Sequence, residues 1–596
     1  MKLRKIALIP AVTALALGAA CGGGGGSDDD DSDTPGGTAT NKDLPGDIGN
    51  VGSGQDPTAQ GPARAVEGAE EGGTLTVLTD GAPSTMDPTR AYYTDSLAIM
   101  NLVTRGLTGF RRMEDGSIVL VPDLATDLGR VSEDGLSWEY TLKDGLKYHD
   151  GSDIVADDLC YAIKRSFAQD VLTSGPLYQN DYFLDGDTYK GPYKSDEEYK
   201  GCEVIDDKSI TIKLARKFPD LPYYASFPMF TPIPEAKDTK LDYERAPMAT
   251  GPYMVEEYRP QVSMTLVQNP EWVPETDPIR NQYVDKWEFQ FSQDSGQLQE
   301  RIIGDNGEDQ TTLTYDSILA SKYRQLTNAE GGEERLVTGT QPCTIFQYLD
   351  TRDLDNVEVR KAIGIAYPYD QANQAGGLIP GLTSLPSTTI LPPGIPGRME
   401  FDPLGNGGEG NGDPAAAKKI LEEQDAVGTE IKFYFQTDIP ESVSASEVVE
   451  QGLEEAGFKV SRIPTTSEAI REQLDNPDAP INMRGSGWCS DWPSGASWFP
   501  AIMAGGLINP DSVPNMSFLD EPEVNKEIER ILNIEDAEEA ATEWGKLDKL
   551  IMEKYYPVVI RYVAGNAMIR GSRVGGMTND DAKGMPDFPN MFVVPE

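Results

Sequence analysis

Between Ile431 and Ile463 the chain spells strand, helix, strand, and that order restricts its fold more than any other feature. Ile431-Lys432-Phe433-Tyr434-Phe435 alternates as a strand, residues 442–456 carry a helical pattern that stops at Gly457, and Lys459 to Ile463 is extended again. A helical crossover of this kind leaves its two strands parallel, because tight turns join only antiparallel ones. The alternation recurs along the chain. Residues 74–78, 137–142, 209–214 and 558–562 read as strands, 96–105 and 156–168 as helices, and 523–554 as largely helical, from apolar periods near 2 and 3.6. The class is α/β, with at least two sheets.

The N-terminus says where this body works. Lys2, Arg4 and Lys5 precede an apolar run from Ile6 to Leu17, and the small residues Gly18-Ala19-Ala20 lead to Cys21. That order is a secretory signal peptide over residues 1–20. The run is short for a membrane span, which needs roughly 20 residues, and Pro10 interrupts it. Leu17-Gly18-Ala19-Ala20-Cys21 resembles a bacterial lipobox, with its Leu one position further from the Cys than usual, so Cys21 is the expected lipidation site and the outer face of the cell membrane the expected location. Residues 21–72 open with five glycines and Ser27-Asp28-Asp29-Asp30-Asp31 and stay rich in Gly, Pro, Asp and Thr. So little apolar surface is expected to give a disordered tether rather than a core. The aspartate run lacks the ligand spacing and closing Glu of a calcium loop.

The remainder, Gly73 to Glu596, exceeds what one hydrophobic core holds, so two or more lobes are expected. The chain carries a net charge of −47. Such a surface repels nucleic acid, whose binding rests on cations, and keeps copies apart, so a monomer is expected. The lone His149, and the absence of G-x-S-x-G, H-E-x-x-H and P-loop motifs, leave no catalytic, metal or cofactor signature. Four cysteines remain after Cys21: Cys160, Cys202, Cys343 and Cys489. An even number in an exported chain favours disulfides. Of three possible pairings, nearness in sequence suggests Cys160 with Cys202, leaving Cys343 with Cys489.

A series of short motifs then points to one family. Gly73-Thr74-Leu75, Thr85-Met86-Asp87-Pro88 and Gly106-Leu107 come first. Asp123-Leu124-Ala125-Thr126, the hairpin from Asp134 to Gly145, and Lys147-Tyr148-His149-Asp150-Gly151-Ser152 follow. Thr250-Gly251-Pro252-Tyr253, Gln268-Asn269-Pro270-Glu271-Trp272, Val357-Glu358-Val359-Arg360-Lys361-Ala362-Ile363 and Gly487-Trp488-Cys489-Ser490-Asp491-Trp492 complete it. In this order the set resembles the peptide-type (family 5) extracellular solute-binding proteins of bacterial ABC importers, over nearly all of the body. Val155 departs from the pattern, standing where a helix-capping Thr is usual, and residues 376–412 match nothing in it.

The resemblance implies two α/β lobes closing on a central cleft, as in periplasmic binding proteins. Lobe one would span 73–340 and 558–596, with an extra subdomain near 115–245, and lobe two 341–557. It implies a Cys343–Cys489 disulfide and no catalysis. The cargo would be a peptide, or another solute such as an amine, sugar or metal chelate, delivered to permease subunits with their ATPases. In peptide-binding relatives the acid two residues after G-W-C holds the ligand's α-ammonium, which is Asp491 here. Trp488 and Trp492 flank it as candidate contacts, and Arg484 is a candidate partner for a ligand carboxylate. A secreted hydrolase working with paired carboxylates is the alternative from another class.

Overall fold

The structure, a computed structural model, describes residues 51–113, 116–194, 198–507 and 514–595. The expected signal peptide, Cys21 and the glycine–aspartate run lie outside them. No helix among the described residues is long and apolar enough to cross a membrane.

Three large hydrophobic clusters organise the body. The first surrounds a five-stranded sheet ordered Thr312–Leu313, Thr74–Leu78, Lys286–Gln290, Ser263–Gln268, Tyr253–Arg259. Alternation places Leu75, Val77, Trp287 and Phe289 inside it, as the pleat of a strand requires. The second, between Leu107 and Met248, surrounds the four-stranded antiparallel sheet Arg130–Val131, Ser137–Thr141, Ser209–Lys213, Cys202–Val204 and the helix Ala156–Arg165. Cys160 on that helix is bonded to Cys202 on the edge strand. Val155 offers the helix no side-chain cap; instead Asp158 accepts a hydrogen bond from the Val155 N–H at 3.4 Å.

The third cluster runs from Phe346 to Ile560. It contains the crossover unit that the sequence spells: Glu430–Gln436 and Lys459–Thr465 pair in parallel, joined by the helix Pro440–Glu455. Gly457 lies just past that helix at φ +96°, a conformation that side chains with a Cβ disfavour. The family resemblance is silent over 376–412, and the structure anchors this stretch on one acid. Buried Asp548 accepts hydrogen bonds from Ile390 N–H (3.1 Å) and Leu391 N–H (3.0 Å).

Two long strands join the first and third clusters. Leu336–Leu349 and Val558–Ile569 pair antiparallel from Leu336↔Ile569 to Tyr348↔Val558, with register shifts between Thr340 and Thr344 and between Ile345 and Phe346. Val337 and Met568 lie in the first cluster; Phe346, Val558 and Ile560 lie in the third. A paired, bulged crossing of this kind is a natural hinge. The sequence reading stops this second strand at Tyr562; the structure continues it to Ile569.

One expectation is corrected. The tether expected over 21–72 does not extend through 51–72. Val51–Gln55 adds a strand parallel to Ile118–Pro122, Asp56 pairs with Arg111 at 2.9 Å, and Ala59 packs with Val121 and Ile279. An open sheet edge offers backbone hydrogen bonds that need no apolar side chain, so composition alone misses this segment.

Candidate functional site

The strand Met483–Cys489 is the outermost of a four-stranded sheet ordered Ser384–Leu385, Val558–Ile569, Leu336–Leu349, Met483–Cys489. It pairs in register with the hinge strand, Cys343 opposite Cys489, and these two residues are disulfide-bonded. Past the disulfide, Ser490 N–H donates to Pro342 C=O at 2.8 Å, and the Trp498 indole N–H donates to Ser490 Oγ at 2.5 Å. The chain then leaves the third cluster and enters the second. Trp492, 3% exposed, packs among Tyr178, Phe218 and Tyr224, edge-on to Tyr178 at 4.7 Å. Its indole N–H donates to Asp220 Oδ2 at 2.7 Å.

Asp491 sits at this crossing. It is half-buried: closely packed on most sides, open on one to a cavity of about 90 Å³ that Tyr92, Asn101, Phe110 and Ser490 also line. The Tyr178 hydroxyl donates to Asp491 Oδ2, and the Tyr92 hydroxyl is its second donor. Burial pushes the carboxyl up to about 6, against the two phenols, which favour its ionised form. The same burial, with the Asp491 charge beside them, holds Tyr92 and Tyr178 well above the ordinary phenol range. Among the described residues no cation contacts Asp491: Arg280 and Lys583 also line the cavity, but each is paired elsewhere, Arg280 with Asp123 and Asp277 and Lys583 with Asp580. The arrangement is a desolvated carboxylate held by neutral donors, facing a space where a cation fits.

A second, larger cavity of about 320 Å³ lies further back along the same strand. Gly485 and Gly487 leave it without side chains on that side, facing Ile345 and Gln347 of the hinge strand. Phe433, Ile470 and Arg561 contribute further walls.

Two of the expected ligand contacts are corrected. Trp488 is 2% exposed in the third cluster, its indole N–H donating to Ser497 C=O at 2.8 Å. Arg484 is fully buried within the same lobe, paired with Asp350 at 3.1 Å with its guanidinium over the Phe518 ring. Of this strand, Gly485, Ser486 and Gly487 line the cavity, and neither Arg484 nor Trp488 does. Trp492 does line the Asp491 cavity, though most of its ring is committed to the subdomain. The sequence reading misses Tyr92 and Tyr178. They come from segments far from Asp491 in the chain, and among 25 tyrosines nothing local marks them.

Comparison with known proteins agrees with this architecture. The family model described as bacterial extracellular solute-binding proteins, family 5 Middle, matches residues 119–507. The oligopeptide-binding protein OppA of Bacillus subtilis (strain 168) is 21% identical over 377 residues, covering 61% of this chain and 66% of its own length. Two di/tripeptide-binding proteins of Pseudomonas aeruginosa are matched over only 43% and 38% of theirs. A probable D,D-dipeptide-binding periplasmic protein, DdpA of Escherichia coli (strain K12), is 21% identical over 79% of this chain and 85% of its own. Among solved structures, clavulanic acid biosynthesis oligopeptide binding protein 2 superposes with a TM-score of 0.80 at 26% identity, covering 92% of this chain and all of that one. DppA from Helicobacter pylori, in complex with the peptide STSA, gives 0.66 at 16% identity, covering 88% and 99%. The chain belongs to the bacterial extracellular solute-binding proteins of family 5.

Proposed function

We propose that this protein captures peptides outside the cell membrane by their α-ammonium group and hands them to an ABC permease. The observation that carries the reading is Asp491: a carboxylate at the meeting of two lobes, hydrogen-bonded by Tyr92 and Tyr178, open to a cavity, and without a cationic partner among the described residues. An incoming ammonium supplies the missing charge. Relatives named as oligopeptide- and dipeptide-binding proteins support the cargo class.

The hinge strands give the mechanism its motion. With the lobes apart, the carboxylate is solvated and accessible. Closure brings Trp492 into the subdomain and places the Tyr178 hydroxyl on Asp491, so the ammonium is held best in the closed form. Ligand shifts the open–closed equilibrium only by this difference in affinity. Cross-lobe contacts such as Lys217 with Glu535 and Trp492 with Asp220 are made only on closure. The closed form is the one that docks on the permease.

Cys21 anchors the chain as a lipoprotein in this proposal, with residues between it and Val51 as the tether, and the protein acts as a monomer. Labelling with radioactive palmitate tests the anchor: the wild type takes up label and Cys21→Ser does not. The cargo is tested by native mass spectrometry of the protein as purified, followed by titration with a peptide pool. Adducts with peptide masses, or saturable one-to-one peptide binding, are expected. Adducts of sugars or metal chelates with no peptide binding would overturn the reading.

A further inference from the structure

The hinge ladder ends, on the side of the first cluster, at a polar cavity of about 280 Å³ that shares no lining residue with the Asp491 cavity. Leu336, Val337 and Thr338 open one hinge strand and form one wall. Arg570 follows the last residue of the other hinge strand and stands beside them. Arg112, the last residue of the strand Thr108–Arg112, faces the same space.

Arg112 and Arg570 are the cations of this cavity, and neither has a carboxylate partner among the described residues. Arg112 Nη1 donates to Asn579 C=O at 2.7 Å. Arg570 donates from Nη1 to Val574 C=O at 2.5 Å and from Nη2 to Glu334 C=O at 2.9 Å. A guanidinium has more N–H donors than these carbonyls take up, and carbonyls leave its charge unmatched. Acids are plentiful in this chain, 98 against 51 lysines and arginines, and the adjacent Arg111 is paired with Asp56 at 2.9 Å. Two carboxylates do line the cavity, Glu334 and Asp581. Asp581 is taken up by Thr340 N–H at 2.8 Å and by the Asn579 side-chain amide at 2.6 Å. Neither acid forms an ion pair with Arg112 or Arg570. Burial and the neighbouring Arg335 guanidinium hold Arg570 below the usual arginine range, against the pull of Glu334. Two partly desolvated guanidiniums at one cavity are unfavourable until an anion joins them.

Two short segments connect this cavity to the Asp491 cavity. Along one strand Phe110 lines the Asp491 cavity and Arg112 lines this one; near the C-terminus Asp581 lines this one and Ala582 and Lys583 the other. A group held by both arginines joins the Arg112 strand to the end of the hinge.

We infer that Arg112 and Arg570 bind a phosphate group, and, resting on the reading of the Asp491 cavity as the peptide site, that its binding is linked to that of the peptide. A phosphate monoester or inorganic phosphate carries about −1.5 to −2 charge at neutral pH, enough for both cations, where a carboxylate serves one. Its oxygens accept from guanidiniums that approach from different elements, and Thr338 and Thr578 add hydroxyl groups to the same walls.

The test is calorimetry of the ligand-stripped protein with inorganic phosphate at pH 7.5, at ionic strength held constant with chloride so that screening does not change. One-to-one binding is expected. Arg112→Gln and Arg570→Gln should each weaken it at least tenfold. Arg259→Gln, at an exposed arginine paired with Glu257, should leave it unchanged. Melting temperatures without phosphate show whether each variant is folded, and Arg570→Lys, which keeps a donor for the carbonyls, replaces the Gln variant if that one is not; it too should bind phosphate more weakly than the wild type. Co-sedimentation with phosphatidylglycerol vesicles is the second arm: vesicle binding that both Gln variants lose, without binding of free phosphate, assigns the phosphate to a lipid headgroup. Binding of neither, or equal binding by the wild type and the double variant, overturns the site. For the link, saturating phosphate should change peptide affinity at least threefold in the wild type and not in the double variant, and by reciprocity peptide should change phosphate affinity by the same factor. Unchanged peptide affinity overturns the link. If phosphate binds and no peptide does, the peptide reading and the link fall while the site stands.

Discussion

Asp491→Asn should make the ligand-free protein more stable while removing its function. Burial raises this carboxyl from the ordinary 3.8 to about 6. Each pKa unit is 1.36 kcal/mol between the two protonation states, so holding Asp491 ionised in the closed, ligand-free form described here costs about 3 kcal/mol. The sign follows from the direction of the shift. Between pH 3.8 and about 6 the folded state binds the proton more tightly than the unfolded chain, so this group's stabilising contribution is full below 3.8 and is lost as pH rises through 6. Asparagine has the same shape, still accepts from Tyr178 and carries no charge. At pH 7.5 the ligand-stripped variant should therefore close more readily than the wild type and melt higher, by at most the several degrees that the full cost implies, and the gap should shrink at pH 4.5. Differences in melting temperature are the readout, since a protein of several lobes need not unfold in two states. Removing one partner of a desolvated ion pair weakens binding by about 2–5 kcal/mol, so peptide affinity should fall at least thirtyfold. A variant that melts lower at pH 7.5 and binds peptide as well as the wild type would refute the reasoning.

The same group governs binding below neutrality. An ammonium needs the carboxylate ionised, so wild-type affinity should peak near pH 7, decline toward pH 8 and above as the peptide's own α-ammonium loses its proton, and fall toward tenfold per unit below about 6; titration at pH 5 and 7 checks this, and equal constants would contradict it. The Cys343–Cys489 disulfide closes a loop of sequence separation 146, worth about 5 kcal/mol in the chain-entropy model. Cys343→Ser with Cys489→Ser should melt well below the wild type and lose its response to reductant at that site. Gly397 stands at φ +79° with a hypothetical Cβ 1.8 Å from Ala541 C=O, so Gly397→Ala should destabilise by about 2 kcal/mol or more, read as a lower melting temperature with peptide affinity preserved.

Much of the fold was legible because its elements obey simple periods. Thr74–Leu78, Ser137–Thr141 and Glu430–Gln436 alternate, and their predicted limits fall within a residue of the observed ones. What composition hid was structure held by backbone alone. Val51–Gln55 has almost no apolar content and folds because an open edge accepts it. The hinge strand Leu336–Leu349 contains Gly339 and Pro342, which break any regular pattern. The site divides in the same way. Asp491 was legible through a local motif. Its phenols, Tyr92 and Tyr178, were not, because they approach from another lobe. Arg484 is a cation close to the motif in sequence, yet Asp350 neutralises it. Arg561 lies far from the motif in sequence and reaches the cavity through a one-residue bulge, which no period reveals.

The most direct test of the central claim is calorimetry at pH 7.5 with one peptide in two forms, free and N-acetylated, against the ligand-stripped wild type. Acetylation removes the ammonium and little else. The free peptide should bind one to one, and the acetylated form at least thirtyfold more weakly. Equal affinity for the two would show that Asp491 does not hold the ligand's α-ammonium.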